Sequence, residues 1–232
     1  MTATQATVPP LTTRPTFHDP DLQEAFSRDG FVVLPLFSEP EVRAARELYA
    51  SLGDPPGEGF QTDFERDDPA RKRHIHDVMA SVSAPAIGRV LQGYRPFMTT
   101  FLAKWPGTGS ELYVHQDWSY VDERVCRSVV VWIALEDTSQ ELDNGPIEVV
   151  PGSHRIAGEY RGTRTSPWYA DHPATVAAAL EPVDVPAGHA VVMDNALVHA
   201  SPENRSMHAR RSASAWSTTR CRPPNWMRRR HG

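Results

Sequence analysis

The chain is poor in cysteine and has no long apolar run. Its 232 residues include two cysteines, Cys126 and Cys221, too few for a disulfide framework. No stretch approaches the roughly 20 apolar residues that cross a bilayer, so we expect no membrane insertion. The segment from Met1 to Phe17 lacks the apolar core of a signal peptide. Together these absences predict a cytoplasmic protein in a reducing environment.

Positive charge is also scarce. The 24 Lys and Arg residues are outnumbered by 29 Asp and Glu residues, which gives a net charge of −5. A protein that binds the nucleic-acid backbone usually has a basic surface, so we expect no nucleic-acid partner. The basic run Arg228–Arg230 is interpreted as a solvated tail. The expected partner is a small-molecule substrate, and the expected state is a monomer or a weak homo-oligomer.

The length and composition favour one main domain. A chain of 232 residues is long enough for one sizeable core, and β-rich domains of this length are often single. Residues 1–20 are rich in Thr and Pro and predict a flexible arm. We therefore expect a single domain over residues 21–220 and a basic tail over residues 221–232.

Helical signals dominate the first part of this domain. Ser38 followed by Glu41 forms a capping-box pattern at the start of a helix. Residues 54–73 are rich in Gly, Pro and charge, which predicts a long loop that covers part of a site. Residues 75–92 have apolar side chains at helical spacing, and Pro85 predicts that they form two short helices.

Beyond Gly93 the pattern changes to short β runs bounded by turns. The predicted strands are 97–105, 111–117, 128–135, 147–150, 183–185, 189–193, 196–199 and 211–218. The fold class expected from this order is mainly β with flanking α-helices. Its core would be a double-stranded β-helix, a cupin-like jelly roll, with the helices packed on one sheet.

Two histidines and an aspartate form a candidate metal site. His115 and Asp117 are two residues apart, so on a strand their side chains point to the same side and can chelate one ion. With His199 they would make the set of two imidazoles and one carboxylate that holds non-haem Fe(II). With ten histidines in the chain, a chance His-x-Asp is the alternative for the pair, and a satisfied core histidine is the alternative for His199.

An arginine near the C-terminus is a candidate anion anchor. The alternating pattern from Arg210 to Trp216 places Arg210 on the same face as Ser212 and Ser214. An arginine turned inward needs an anionic partner, and a dicarboxylate co-substrate would pair with its guanidinium in a bidentate manner. Arg211 competes for this role, and the spacing from His199 favours Arg210.

Four stretches in the same order resemble the phytanoyl-CoA dioxygenase family of Fe(II)/2-oxoglutarate-dependent oxygenases. They are Phe26–Pro35, His115–Asp117, Asn144–Arg155 and His199–Arg210. The resemblance covers roughly Leu22 to Thr218.

This resemblance implies a cofactor set and the residues that hold it. His115, Asp117 and His199 would bind Fe(II), and Arg210 would hold the distal carboxylate of 2-oxoglutarate. These four residues would be the catalytic group, and molecular oxygen would be the second co-substrate. Ascorbate is expected to stimulate turnover.

Two further residues match positions near the co-substrate in the family. Ser201 and Trp132 would contact or wall the 2-oxoglutarate pocket. Lys104, on the strand before the metal motif, is a candidate to assist with a carboxylate. Each has an alternative: a turn hydroxyl for Ser201, a core aromatic for Trp132, and a solvated lysine at a strand end for Lys104.

Candidate substrate contacts lie in two segments. The loop after the metal motif carries Trp118, Tyr120 and Glu123, and a later insertion carries Trp168 and Tyr169. Loops on a rigid scaffold often carry recognition, although each of these side chains could equally serve in surface packing.

The carboxylate at Asp117 also bears on the reaction. The resemblance implies that related halogenating enzymes have a small residue there, so Asp117 favours hydroxylation. We predict a dioxygenase that hydroxylates an unactivated C–H bond of a small metabolite, an amino acid or a natural-product intermediate, and releases succinate and CO2. The alternatives are desaturation, oxidative cyclisation or epimerisation with the same cofactors. A non-catalytic cupin-like metal-binding or interaction protein is the alternative of another class.

Overall fold

Two antiparallel β-sheets, with helices on the outer face of one of them, make up the fold. The computed structural model describes residues 15–54, 57–123, 126–156, 160–162, 167–206 and 212–221. Within these ranges the helices are α1 (Pro20–Asp29), α2 (Glu39–Ser51), α3 (Pro69–Val90) and α4 (Pro173–Ala179), with a short 3₁₀ turn at Ser153–Ile156. The strands are β1 (Phe31–Pro35), β2 (Phe60–Thr62), β3 (Tyr94–Lys104), β4 (Leu112–His115), β5 (Ser128–Ala134), β6 (Ile147–Val149), β7 (Glu181–Val183), β8 (His189–Asp194), β9 (His199–Ser201) and β10 (Ser212–Cys221).

The strands divide into a large and a small sheet. The six-stranded sheet has the order β1-β8-β5-β10-β3-β2, and the four-stranded sheet has the order β4-β9-β6-β7. The pairings between these strands are antiparallel. The mainly β class with flanking helices is thereby confirmed, and the jelly-roll description stays a prediction.

The main core lies between the large sheet and the helices. Along β5, Val129, Val131 and Ile133 alternate toward the helical side and are fully buried. They share one apolar cluster with Phe26 of α1 and Met79 of α3. Helices α1, α2 and α3 therefore cover one face of the six-stranded sheet, as the sequence predicts.

A second apolar cluster joins the two sheets. Val130 and Ala134 point from β5 to the other side, where they meet Ile147 and Val149 of β6. Trp132, on the same face of β5, packs against this cluster and is only partly buried. Ile147 and Met193 of this cluster also line a cavity between the sheets.

Helix α3 is longer than the sequence predicts. It runs without a break from Pro69 to Val90 and includes Pro85, so the prediction of two short helices is wrong. The Asp68 carboxylate caps its start by accepting a hydrogen bond from the backbone N–H of Arg71 at 2.9 Å. Ile75 and Ile87, on either side of Pro85, are both completely buried. Packing on the sheet outweighs the hydrogen bond that proline removes.

The strand that carries His199 is also placed differently. The sequence predicts a strand over residues 196–199, whereas β9 begins at His199. The Asp194 carboxylate accepts a hydrogen bond from the Ala196 N–H, and the Leu197 N–H donates to the Asp194 carbonyl oxygen, both at 2.9 Å. These bonds form a tight buried turn, so His199 opens a short strand and does not end a longer one.

The state of Cys126 bears on the expected reducing environment. Cys126 is disulfide-bonded, so the small number of cysteines no longer supports a reducing environment. Within the described residues, no helix is long and apolar enough to cross a membrane. The cellular compartment stays a prediction.

The domain boundaries also stay predictions. Thr16 and Phe17, within the predicted flexible arm, are buried to 0% and 2% exposure. The Phe17 ring lies 5.3 Å from that of Phe26, and the backbone of Phe17 bridges to Leu91.

Gly188 offers a test of how tightly the large sheet is joined to α2. Its φ is +83°, and a β-carbon there would lie 2.7 Å from the carbonyl oxygen of Phe37. Gly53 also has a positive φ, +69°, but open space around it. We expect Gly188→Ala to lower the free energy of unfolding by at least about 2 kcal/mol and Gly53→Ala by about 1 kcal/mol, because only the first adds a clash to the left-handed backbone cost. Urea denaturation measures both, and equal losses would contradict the described packing.

Candidate functional site

A cavity of about 180 Å³ lies between the two sheets. Its polar wall is made by His115, Asp117, His199, Lys104, Ser201, Ser214, Thr62 and Gly145. Its apolar wall is made by Phe60, Phe64, Leu102, Leu112, Tyr120, Trp132, Ile147, Met193 and Ala200. The predicted metal residues therefore meet in one cavity.

The pairing of β4 with β9 brings the two histidines together. His115 is the last residue of β4 and stands opposite His199, the first residue of β9. Their ring centroids are 4.1 Å apart. Asp117 follows His115 by two residues, and its Oδ1 lies 4.0 Å from the His115 Nε2.

These three side chains form a group that can hold a cation. Each offers one ligand atom, and the three atoms lie within 4.8 Å of one another. The Asp117 Oδ2 is buried and has no hydrogen-bond partner among the described residues. A buried carboxylate oxygen without a partner is costly, and a metal ion would remove that cost.

Both imidazoles are oriented to accept a metal at the same nitrogen. The His115 Nδ1 lies 2.8 Å from the Tyr113 carbonyl oxygen, and the His199 Nδ1 lies 3.0 Å from that of Leu197. A carbonyl oxygen can only accept, so each Nδ1 carries the proton and each Nε2 keeps its lone pair. Backbone bonds of this kind fix the rings of metal-binding histidines. The residues present thus fit a divalent cation.

Burial shifts the proton equilibria of all three groups toward their neutral forms. It lowers the pKa of His115 to about 4, with help from the neighbouring His199, while Asp117 opposes the shift. Burial likewise lowers the pKa of His199. It raises the pKa of Asp117, against the influence of His115 and Arg161. Neutral imidazoles are the form that binds metal, and a bound cation would favour the ionised carboxylate.

Neighbouring residues hold the segments that carry the ligands. The Gln116 side-chain amide, between two ligands in sequence, donates to the Ala196 carbonyl oxygen in the turn before His199. The Ser153 hydroxyl accepts a hydrogen bond from the Val198 N–H at 2.9 Å. Ser153, in the Asn144–Arg155 stretch that resembles the family, therefore supports the residue next to His199.

Lys104 reaches the cavity from the end of β3. Only 7% of it is exposed, and its Nζ contacts the Ser201 hydroxyl and the Pro202 carbonyl oxygen. Burial lowers the pKa of Lys104 to about 8. Gly145 makes room for the amine, because a β-carbon at Gly145 would lie 2.5 Å from the Lys104 Nζ. A cation thus lies on the wall of the cavity in contact with the Ser201 hydroxyl, and Ser214 lines the same cavity.

Of the residues predicted to bind the co-substrate, three line the cavity and the arginine candidates lie outside the described residues. Lys104, Ser201 and Trp132 line the cavity together with the metal residues. Arg210 and Arg211 lie outside the described residues. Ser214, which the alternating pattern puts on the face of Arg210, lines the cavity.

The predicted substrate residues are spread over the surface and the interior. Tyr120 lines the cavity. Trp118 is half-exposed, and its ring centroid lies 6.5 Å from that of Tyr120. Trp168 is 36% exposed and packs edge-on against Tyr169. Tyr169 is buried in a small apolar cluster and does not belong to the described cavity wall. Glu123 is paired with Arg161.

Some wall residues escape sequence reasoning. Phe60 and Phe64 come from the stretch predicted as a loop over the site, and they line the cavity from β2 and the turn after it. Their surroundings are rich in Gly, Pro and charge, so no periodic pattern marks them. For Gly145 the signal was available, since Asn-Gly is a turn pattern that permits a positive φ.

The fold and the site together define a class. Two antiparallel sheets around a group of two imidazoles and one carboxylate are typical of sites that hold non-haem Fe(II) and leave positions open. Residues 26–212 match the family described as phytanoyl-CoA dioxygenase (PhyH). The chain belongs to the phytanoyl-CoA dioxygenase family.

Curated relatives of this chain include a plant phytanoyl-CoA dioxygenase. The chain is 33% identical over 139 residues to phytanoyl-CoA dioxygenase 1 of Oryza sativa subsp. japonica, covering 56% of this chain and 48% of the relative. It spans about half the length of the curated relatives it matches.

Two solved structures share the fold. One is the non-haem α-ketoglutarate-dependent carbocyclase SnoK from nogalamycin biosynthesis, with a TM-score of 0.60, 20% identity and coverage of 90% of this chain and 87% of that one. The other is the epimerase SnoN in complex with Fe³⁺, α-ketoglutarate and nogalamycin RO, with a TM-score of 0.57, 20% identity and coverage of 88% and 85%.

The lowered pKa of His115 predicts acid sensitivity of the metal-free protein. Between pH 6.5 and about 4 the unfolded state binds a proton at this histidine that the folded state does not, so stability falls as the pH falls. The loss from His115 is on the order of 3 kcal/mol by pH 4. Urea denaturation at a series of pH values, with metal removed by chelation, should show a shallower fall for His115→Gln than for the wild type. Parallel profiles would contradict the buried, neutral state of His115.

Proposed function

We propose that the protein is an Fe(II)- and 2-oxoglutarate-dependent dioxygenase that hydroxylates an unactivated C–H bond of a small metabolite. The observation that carries this proposal is the group His115, Asp117 and His199, with both Nε2 atoms free to bind and a buried carboxylate oxygen lacking a partner among the described residues. When bound, Fe(II) with 2-oxoglutarate and O2 would supply oxidation of the C–H bond, with release of succinate and CO2.

The polar wall of the cavity supports a site for 2-oxoglutarate. Lys104 supplies a positive charge, and the hydroxyl-bearing Ser201 and Ser214 line the same cavity. A carboxylate accepts charge-assisted hydrogen bonds from such groups. We propose that Arg210 pairs with the distal carboxylate, since it shares a predicted strand face with Ser214. Trp132 would bound the pocket beside it.

The apolar wall favours an uncharged portion of the substrate near the metal. Phe60, Phe64 and Tyr120 lie on this wall, and in the described residues the charged or ionisable groups of the polar wall are Lys104 and the metal group. Each of those is already assigned to the metal or the co-substrate. A neutral, largely apolar natural-product intermediate therefore fits better than a free amino acid. The apolar side chains would exclude water and position the target C–H bond.

Hydroxylation is proposed over halogenation because Asp117 provides the carboxylate ligand. Ring closure and epimerisation with the same cofactors are a second candidate, in keeping with the names of SnoK and SnoN. The protein would set the outcome through the position of the substrate relative to the metal. Trp118, which directly follows Asp117, and Trp168 are both partly exposed, and they are proposed to contact the part of the substrate outside the cavity.

Turnover of 2-oxoglutarate is the direct test of this proposal. Wild-type protein given Fe(II), 2-oxoglutarate, ascorbate and a panel of small metabolites should form succinate, and His115→Ala should reduce it at least about 100-fold, because loss of one ligand leaves the metal site incomplete. Mass spectrometry of the substrate then separates hydroxylation from ring closure or epimerisation by the gain of one oxygen. His154→Ala is the matched control, since His154 is not among the described cavity wall residues. Equal succinate from wild type and His115→Ala would refute the site, and none from either would favour the non-catalytic alternative.

The role proposed for Lys104 predicts a pH dependence of co-substrate binding. The pKa of Lys104 is about 8, so the amine is charged below pH 8 and loses its proton above it. We expect KM for 2-oxoglutarate to rise above pH 8, by up to about tenfold per pH unit, because the neutral amine no longer attracts a carboxylate. In Lys104→Arg the charge persists, and this rise should disappear. An identical rise in both proteins would show that another group controls binding.

A further inference from the structure

An ion pair between the buried Arg161 and the partly exposed Glu123 contacts the backbone of the aspartate ligand. Arg161 is 7% exposed, and its Nε donates to the main-chain carbonyl oxygen of Asp117 at 2.8 Å. Its two terminal nitrogens donate to the two carboxylate oxygens of Glu123, at 3.1 and 2.5 Å. One guanidinium therefore binds both the backbone of a metal ligand and a second residue of the loop that follows it.

Backbone hydrogen bonds strengthen the same connection. The Ser119 N–H donates to the Arg161 carbonyl oxygen at 3.0 Å, and the Arg161 N–H donates to the Ser119 hydroxyl at 3.2 Å. Asp117, Ser119 and Glu123 are thus fastened at three points to one arginine. The direction of the Asp117 side chain depends on its backbone, and the guanidinium fixes the carbonyl oxygen of that backbone.

Stability alone is a poor explanation for this arrangement. Burying the Arg161 guanidinium costs desolvation free energy that its attraction to Glu123 often only offsets. A planar guanidinium with bonds in three directions does, however, define geometry closely. The hydrogen-bonded groups behind metal ligands commonly set metal affinity in this way.

We propose that Arg161 is a positioning residue for Asp117: with Glu123 as its counterion, it holds the aspartate ligand in the orientation that completes the metal site. This inference rests on the proposed metal-binding role of His115, Asp117 and His199. It assigns to Arg161 and Glu123 a role in metal affinity that is independent of the substrate.

Metal affinity measured without turnover tests the proposal. Apoprotein is titrated with Ni(II) under calorimetry, and the unfolding temperature of each apoprotein is recorded separately. We expect Arg161→Gln to weaken Ni(II) binding about tenfold or more, because the Asp117 carbonyl oxygen loses its donor. Arg161→Lys keeps the charge beside Glu123, but its single amine does not reproduce the guanidinium fork. It should unfold near the wild-type temperature and still bind Ni(II) more weakly.

Arg71 provides the matched control. It is also largely buried, with 14% of its side chain exposed, and it pairs with Asp63 at 2.6 Å and donates to the Leu52 carbonyl oxygen at 3.2 Å. None of these partners is a metal residue. Arg71→Gln should therefore lower the unfolding temperature and leave Ni(II) affinity within about twofold of the wild type.

The outcomes separate this proposal from the proposed function. Wild-type Ni(II) affinity in both Arg161 variants would overturn the positioning role, as would an equal loss of affinity in Arg71→Gln. If Arg161→Gln does not fold, Arg161→Lys alone decides between the two results. Weak Ni(II) binding in the Arg161 variants supports the role even if the wild type turns over no metabolite. If the wild type binds no Ni(II), the metal site itself fails, and the positioning role fails with it.

Discussion

The register between β4 and β9 is the constraint on which the site depends. It sets His115 opposite His199 with ring centroids 4.1 Å apart, although the two residues are far apart in sequence. A slip of one residue would turn one ring to the opposite face of its strand and separate the two nitrogens. The register is supported from both sides, by the Gln116 bond to the turn before β9 and by the Ser153 bond to Val198.

Burial then determines how the three side chains behave. It lowers the pKa values of both histidines and raises that of Asp117, so burial favours the neutral form of each side chain in the metal-free site. The Asp117 Oδ2 has no hydrogen-bond partner among the described residues, which is an unfavourable state for a carboxylate. A divalent cation would reverse this situation by stabilising the charged carboxylate and using the free imidazole nitrogens. The site is thus better suited to the metal-bound state than to the empty one, which is expected when metal binding is coupled to folding.

Much of the site was accessible from sequence because its residues lie in short motifs. The spacing of two in His115-Gln116-Asp117 predicts a shared strand face, and the β class follows from alternating runs such as that of β5. The continuous α3 was not accessible, since the packing of Ile75 and Ile87 that overrides Pro85 arises only in three dimensions. The Arg161–Glu123 ion pair could not be predicted from the sequence for the same reason. Nothing in the sequence shows that a guanidinium meets the Asp117 backbone across 44 residues.

X-ray absorption of the Fe(II)-loaded protein under anaerobic conditions tests most directly whether His115, Asp117 and His199 bind the metal. We expect a spectrum with two imidazole ligands and oxygen donors around the iron, and the loss of one imidazole in His199→Ala. A spectrum that matches Fe(II) in buffer, or one that is unchanged in His199→Ala, would contradict the assignment of His115, Asp117 and His199 as the metal site.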